Sequence, residues 1–169
     1  MEMPAALDRV SQALNRRVKG VVCAMGMVMA LVVAVQVVAR YAFNHSLFWS
    51  EELARFLLIW LSFLGATVAY CHGVHPGVDS LVRRLPERWR TAAALLSFLA
   101  GAVLFTVMVV SGTQFAWFVR LQIFPATGIA KWIIMMVVPV SGVIFLVHCL
   151  AGMGRLFDRN RDKKEGPAG

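Results

Sequence analysis

Four long apolar runs, almost free of ionisable side chains, limit what this chain can fold into more than any other feature of its 169 residues. They cover about residues 21–39, 52–71, 92–118 and 132–153. An α-helix needs roughly 20 apolar residues to cross the hydrocarbon of a bilayer, and each run is of that length. Because lipid offers backbone groups no hydrogen-bond partner, an apolar run of this kind is expected to be a helix. The composition agrees, with 59% apolar residues, 15% charged residues and a mean hydropathy of +0.70. Soluble domains carry about a quarter charged residues, so a water-soluble enzyme is excluded. The expected fold class is all-α integral membrane, with four transmembrane helices in a single membrane domain over residues 1–169. Residues 154–169 are read as a tail, frayed from Asp158 onward. The first run is followed by Arg40-Tyr41-Ala42-Phe43 rather than a small-residue cleavage site, so it reads as an uncleaved helix.

The net charge of +8 comes from 17 Lys and Arg against 9 Asp and Glu. The basic residues lie between the apolar runs, which points to membrane orientation rather than to a nucleic-acid partner. Thirteen of them fall before the first run, between the second and third, or after the fourth. The other two connections hold only Arg40, Arg120 and Lys131, with Arg55 just inside the second run. Both termini are therefore expected in the cytoplasm.

Small residues predict close helix packing. Gly26, Ala30 and Ala34 recur in the first run, Gly65 and Ala69 in the second, and Ala93, Ser97 and Gly101 in the third. Pro139 is expected to kink the fourth. Between the second and third runs, Val78, Leu81, Val82 and Leu85 share one helical face ahead of Pro86. That spacing predicts a short amphipathic helix on the cytoplasmic surface. Tyr41, Phe43, Phe48 and Trp49 cluster where aromatic rings favour the lipid headgroup layer.

Buried charges mark function in membrane helices, and here the middle of every run lacks them. No catalytic residue, substrate site, metal or cofactor is expected in this chain. Glu51, Glu52 and Arg55 form the one charged cluster at a helix end. Locally, Ser50 would cap the helix, the acids would suit its positive dipole end, and Glu51 would pair with Arg55 at i, i+4. Alternatively, the cluster meets a partner protein. Cys71, His72 and His75 end the second run near the level of His148 and Cys149 in the fourth. Such residues suit zinc or haem, which gives a competing reading as the haem-binding anchor subunit of a redox complex. Histidines near an interface are, however, more often hydrogen-bonded or solvated. The three cysteines form no CxxC pair and are expected as free thiols. A small drug exporter would need an acid embedded in the first run, which has none.

Three stretches carry a family resemblance: Arg40-Tyr41-Ala42-Phe43-Asn44-His45-Ser46, then Trp49-Ser50-Glu51-Glu52-Leu53-Ala54-Arg55-Phe56, then Trp60 with Gly65-Ala66. Together they resemble the signature of the small membrane subunit, DctQ type, of tripartite ATP-independent periplasmic (TRAP) transporters. The likeness continues through Gly73, His75, Val78-Asp79, Leu85-Pro86, Pro125, Gly128-Ile129, Trp132 and Pro139. Cys71-His72, Pro76, Phe124 and Ala130 depart from the family pattern. The resemblance implies a four-helix subunit of the bacterial inner membrane, embedded in membrane lipid beside a large DctM-type permease subunit. A periplasmic substrate-binding protein would deliver an organic acid, and the large subunit would carry the sodium and substrate sites. By the same resemblance, Glu51, Glu52 and Arg55 are expected to contact a partner, with Arg40, Tyr41, Asn44 and Trp49 shaping the same surface.

Overall fold

A computed structural model describes residues 2–45, 47–71 and 87–162. Among the described residues five helices run in chain order: α1 (Glu2–Ala42), α2 (Phe48–Cys71), α3 (Glu87–Phe118), α4 (Lys131–Met135) and α5 (Val137–Asp162). Four stretches within them are long and apolar enough to cross a membrane: Leu7–Ala42, Phe48–Cys71, Ala92–Phe118 and Lys131–Arg155. The protein is thus an all-helical, multi-pass membrane protein. The expected surface helix over Val78 to Leu85 lies outside the described residues.

The helices extend past the apolar runs. α1 starts some twenty residues before the first run, and α5 continues to Asp162, so residues 158–162 are helical rather than frayed. The fourth run is split at Met136. Pro139 explains the split: its ring crowds the carbonyl four residues earlier, that of Met135, and it offers no N–H to that carbonyl. The chain direction survives because the Met136 N–H donates to Trp132 O at 2.9 Å and the Val140 N–H to Met136 O at 3.1 Å.

Within the bundle, α5 is central. It packs on α1, α2 and α3, whereas α1 otherwise packs on α2 and α3 on α4. Half of the α5 apolar window is buried, against none of the α1 window. Because lipid tails are as apolar as side chains, contact here rests on close van der Waals fit. Phe105 and Phe145 stack at 4.6 Å, and Tyr70 meets both rings edge-on. Val18, Leu64, Val137 and Ile144 form a second buried cluster. The buried Thr67 and Ser141 hydroxyls donate to carbonyls of their own helices at 2.7 Å.

The small residues at the tightest crossings are not those with the clearest spacing. A Cβ on Gly142 would lie 2.9 Å from Val109 Cγ2 and 3.2 Å from the Phe105 carbonyl oxygen. One on Gly112 would lie 2.9 Å from Pro139 Cδ, and one on Gly152 would lie 2.7 Å from the Phe98 ring. These three glycines set the α3–α5 approach. A Cβ on Gly26 would meet only Leu61 Cδ1, at 3.4 Å, and one on Gly65 would have nothing within 4 Å.

At the end of the bundle that carries the chain termini, α1 is fastened to α5. Ser11 Oγ and His148 Nδ1 are 2.7 Å apart and both residues are buried. One turn before Ser11, Asp8 pairs with Arg155 at 3.5 Å.

Candidate functional site

The opposite, distal end gathers the end of α1, the start of α2 and the connection between α3 and α4. α1 stops where Asn44 takes a left-handed conformation, with φ of 51°. Asparagine adopts this conformation more readily than most side chains. The Phe43 and His45 N–H groups both return to the Ala39 carbonyl, at 3.3 and 3.1 Å. Asn44 therefore reverses the chain, a local task the sequence did not reveal. α2 begins at Phe48, two residues before Ser50. Ser50 is not the cap expected of it: its buried hydroxyl donates to Leu47 O at 2.7 Å.

The two acids that follow have different surroundings. Glu51 accepts from Arg55 Nη2 at 3.1 Å, and this pair faces outward with side chains 72% and 62% exposed. Glu52 turns toward the α3–α4 connection, where its carboxylate accepts the Thr127 N–H and hydroxyl, each at 2.9 Å, and the Ala126 N–H at 3.3 Å. Successive N–H groups aimed at one carboxylate form a small anion nest, and such charge-assisted bonds are stronger than neutral ones. One turn along α2 from Glu52, Phe56 packs on Phe124 with ring centroids 4.6 Å apart. Glu52 and Phe56 together seat the connection on α2.

The connection itself is a tight reversal. Ile123 and Ala130 form an antiparallel bridge, and the Phe124 N–H donates to Ile129 O at 2.9 Å. Pro125 opens the turn and Gly128 closes it with φ of 69°, a conformation that favours glycine. Two cations on this connection are held locally. Arg120 lies 4.3 Å from the Trp117 ring and donates to Trp117 O, and Lys131 donates to Gln122 Oε1 at 3.0 Å. The sequence reading missed Ala126, Thr127, Phe56 and Phe124 as partners. The Pro-x-x-Gly spacing at Pro125 and Gly128 marks the turn that supplies the N–H groups, but pairing it with Glu52 across 75 residues needs the tertiary fold.

Of the seven residues singled out, Glu51 and Arg55 are joined directly and Glu52 lies beside them on α2, facing inward. Arg40 and Tyr41 are exposed at the end of α1, Tyr41 at 82%, and Trp49 is exposed at the start of α2. Among the described residues the ion pairs are Glu51–Arg55 and Asp8–Arg155, so Arg40 has no carboxylate partner there. Among the described residues, the distal surface thus presents one ion pair, a cation with no carboxylate partner and several exposed aromatic side chains.

The histidine and cysteine reading gains no support. His148 is bound to Ser11, while His72 and His75 lie outside the described residues. Among the described residues no group of three potential ligands could hold a metal ion. Cys23, Cys71 and Cys149 are free thiols.

Comparison with known proteins assigns the family. The chain is 29% identical to a TRAP transporter small permease protein of Haemophilus influenzae over 69% of its own length and 72% of the relative's. It is 28% identical to the ectoine TRAP transporter small permease protein TeaB of Halomonas elongata, over 84% of this chain and 75% of that one. It is also 32% identical to the isethionate TRAP transporter permease protein DctMQ of Oleidesulfovibrio alaskensis, where 64% of this chain matches 18% of a much longer one. The pattern of the DctQ component matches residues 29–159, which include all four spans at least in part and the whole distal end. By that match the chain belongs to the DctQ component family of tripartite ATP-independent periplasmic transporters.

Proposed function

We propose that this chain is the small permease subunit of a TRAP-type secondary transporter, and that it braces a large DctM-type subunit without moving substrate itself. The observation that carries this reading is the charge-free middle of all four spans. A solute or ion path needs polar or ionisable groups at mid-depth, and no Asp, Glu, Lys or Arg lies in the middle of any of these four spans. The relative whose single chain is named as a permease, and of which this chain matches under a fifth, supports a large neighbour.

In this reading the subunit lies in the bacterial inner membrane as one membrane domain, with its termini in the cytoplasm and its distal end toward the periplasm. The assembled system takes up an organic acid delivered by a periplasmic binding protein and coupled to sodium. Glu51 and Arg55, with Arg40, Tyr41 and Trp49, contact the large subunit or the docked binding protein. Asn44 and Glu52 hold that surface in shape. The relatives' names mention ectoine and isethionate, so the family accommodates chemically different cargo, and selectivity belongs to the other components.

Co-expression with the large permease encoded beside it tests the proposal. The two chains should co-purify, and Arg55→Ala should lower recovery of the complex, or uptake by it, several-fold. Absence of any large partner would refute the assignment. Normal assembly and uptake with both Arg55→Ala and Glu51→Ala would restrict the pair to starting α2.

A further inference from the structure

One face of α1 changes character along its length. Asn15, Arg16 and Lys19 share that face with Gly26, Ala30 and Val33, because Lys19 and Gly26 are two helical turns apart. Around the first three lies a polar cavity of about 370 Å³, completed by Ser11, Cys71 and Arg155. From Gly26 and Leu61 onward, α1 and α2 part to leave an apolar groove of about 550 Å³ lined also by Ala30, Val33, Ala34 and Leu58.

The polar cavity asks for a particular occupant. Among the described residues, three cations line it and no carboxylate does. Arg155 is partly neutralised by Asp8, whereas Arg16 and Lys19 have no ion pair among the described residues. The occupant should therefore carry negative charge and an apolar tail that continues along the same face.

We propose that the α1–α2 seam binds one anionic glycerophospholipid, of the phosphatidylglycerol type. Its phosphodiester meets Arg16 and Lys19, and one acyl chain lies in the groove past Gly26. At a rise of about 1.5 Å per residue, Lys19 is roughly 10 Å from Gly26 and roughly 22 Å from Ala34, so an acyl chain from a headgroup at Lys19 enters the groove near Gly26 and reaches the middle of the ~30 Å hydrocarbon within it. The headgroup then lies on the side of the membrane that carries the chain's basic ends, where basic pockets between helices recognise anionic lipid.

Native mass spectrometry of the full chain in detergent, with equal amounts of phosphatidylglycerol and phosphatidylcholine, tests the proposal. Phosphatidylglycerol should be retained preferentially. Because Arg16 and Lys19 are exposed, Arg16→Gln and Lys19→Gln leave the fold intact, and each should lower the preference about fivefold, as expected for loss of one membrane-facing cation. Lys19→Arg should restore it. Ala30→Leu with Ala34→Leu, which fills the groove, should reduce retention of both lipids. Arg9→Ala, outside the cavity, should change nothing. The proposal is overturned if the preference is missing or survives loss of both cations. It is overturned equally if inorganic phosphate displaces the lipid while the groove-filling variant still binds normally, which would make the cavity a simple anion site. Displacement of the lipid when the large subunit binds would give the groove to that partner instead.

Discussion

Glu51 and Glu52 are neighbours in sequence with opposite physical roles. The Glu51–Arg55 pair is exposed, and such a pair contributes only a few tenths of a kcal/mol to a helix. Glu52 holds two backbone N–H groups and a hydroxyl of a connection 74 residues away or more. Its removal strands donors that have few alternatives in a partly buried turn, at a cost of about 1–3 kcal/mol. Glu52→Ala should therefore lower the thermal unfolding midpoint of the purified chain in detergent by several degrees, whereas Glu51→Ala should leave it nearly unchanged. Equal midpoints for the two variants would show that the turn does not depend on Glu52. The difference between the acids was not legible in the sequence. Periodicity pairs Glu51 with Arg55 because both lie on one short stretch of helix, but Glu52 finds its partners only when the α3–α4 connection folds back onto α2. Asn44 is a similar case, since its positive φ depends on the path between α1 and α2 rather than on its neighbours' identities.

At the scale of the helices, the spans were legible because hydrocarbon thickness fixes their length and the absence of charge marks their limits. The location of close packing was not. The Gly26, Ala30, Ala34 spacing promised a tight seam, yet α1 packs closely on α2 through Val18, Val22 and Met25 near Leu64, and the two helices part along that small-residue stripe itself. The tightest approach instead uses glycines on two different helices, Gly112 on α3 and Gly142 and Gly152 on α5, and a repeat within one helix cannot reveal that pairing. A methyl group at Gly142 would press on the Phe105 carbonyl and on Val109, while one at Gly112 would press on the backbone nitrogen of Pro139 at 3.2 Å. Backbone cannot move aside as a side-chain tip can, so overpacking of about 1–3 kcal/mol is expected. Gly142→Ala and Gly112→Ala should each lower the unfolding midpoint, and Gly65→Ala, with open space around it, should hold or raise it because alanine favours the helix by up to about 1 kcal/mol. Equal effects at Gly65 and Gly142 would contradict the α3–α5 crossing described here.

For the molecule as a whole, charge and length point to one orientation. α1 spans 41 residues, about 60 Å at 1.5 Å per residue, twice the ~30 Å of hydrocarbon. With residues 21–39 in the membrane, the first part of α1 must project from it as a helix bearing Arg9, Arg16, Arg17 and Lys19. Ser11–His148 and Asp8–Arg155 bind that projection to the end of α5, so the basic ends of the chain lie on the same side. Inverting the subunit would carry this body and most of the thirteen basic residues across the bilayer, against the retention of Lys and Arg in the cytoplasm. A fluorescent protein that matures only in the cytoplasm should therefore be bright when fused after Gly169, and a phosphatase active only in the periplasm should be silent there. The reverse pattern would place the Glu51–Arg55 surface in the cytoplasm, out of reach of any periplasmic binding protein, and would remove half of the docking role proposed for it.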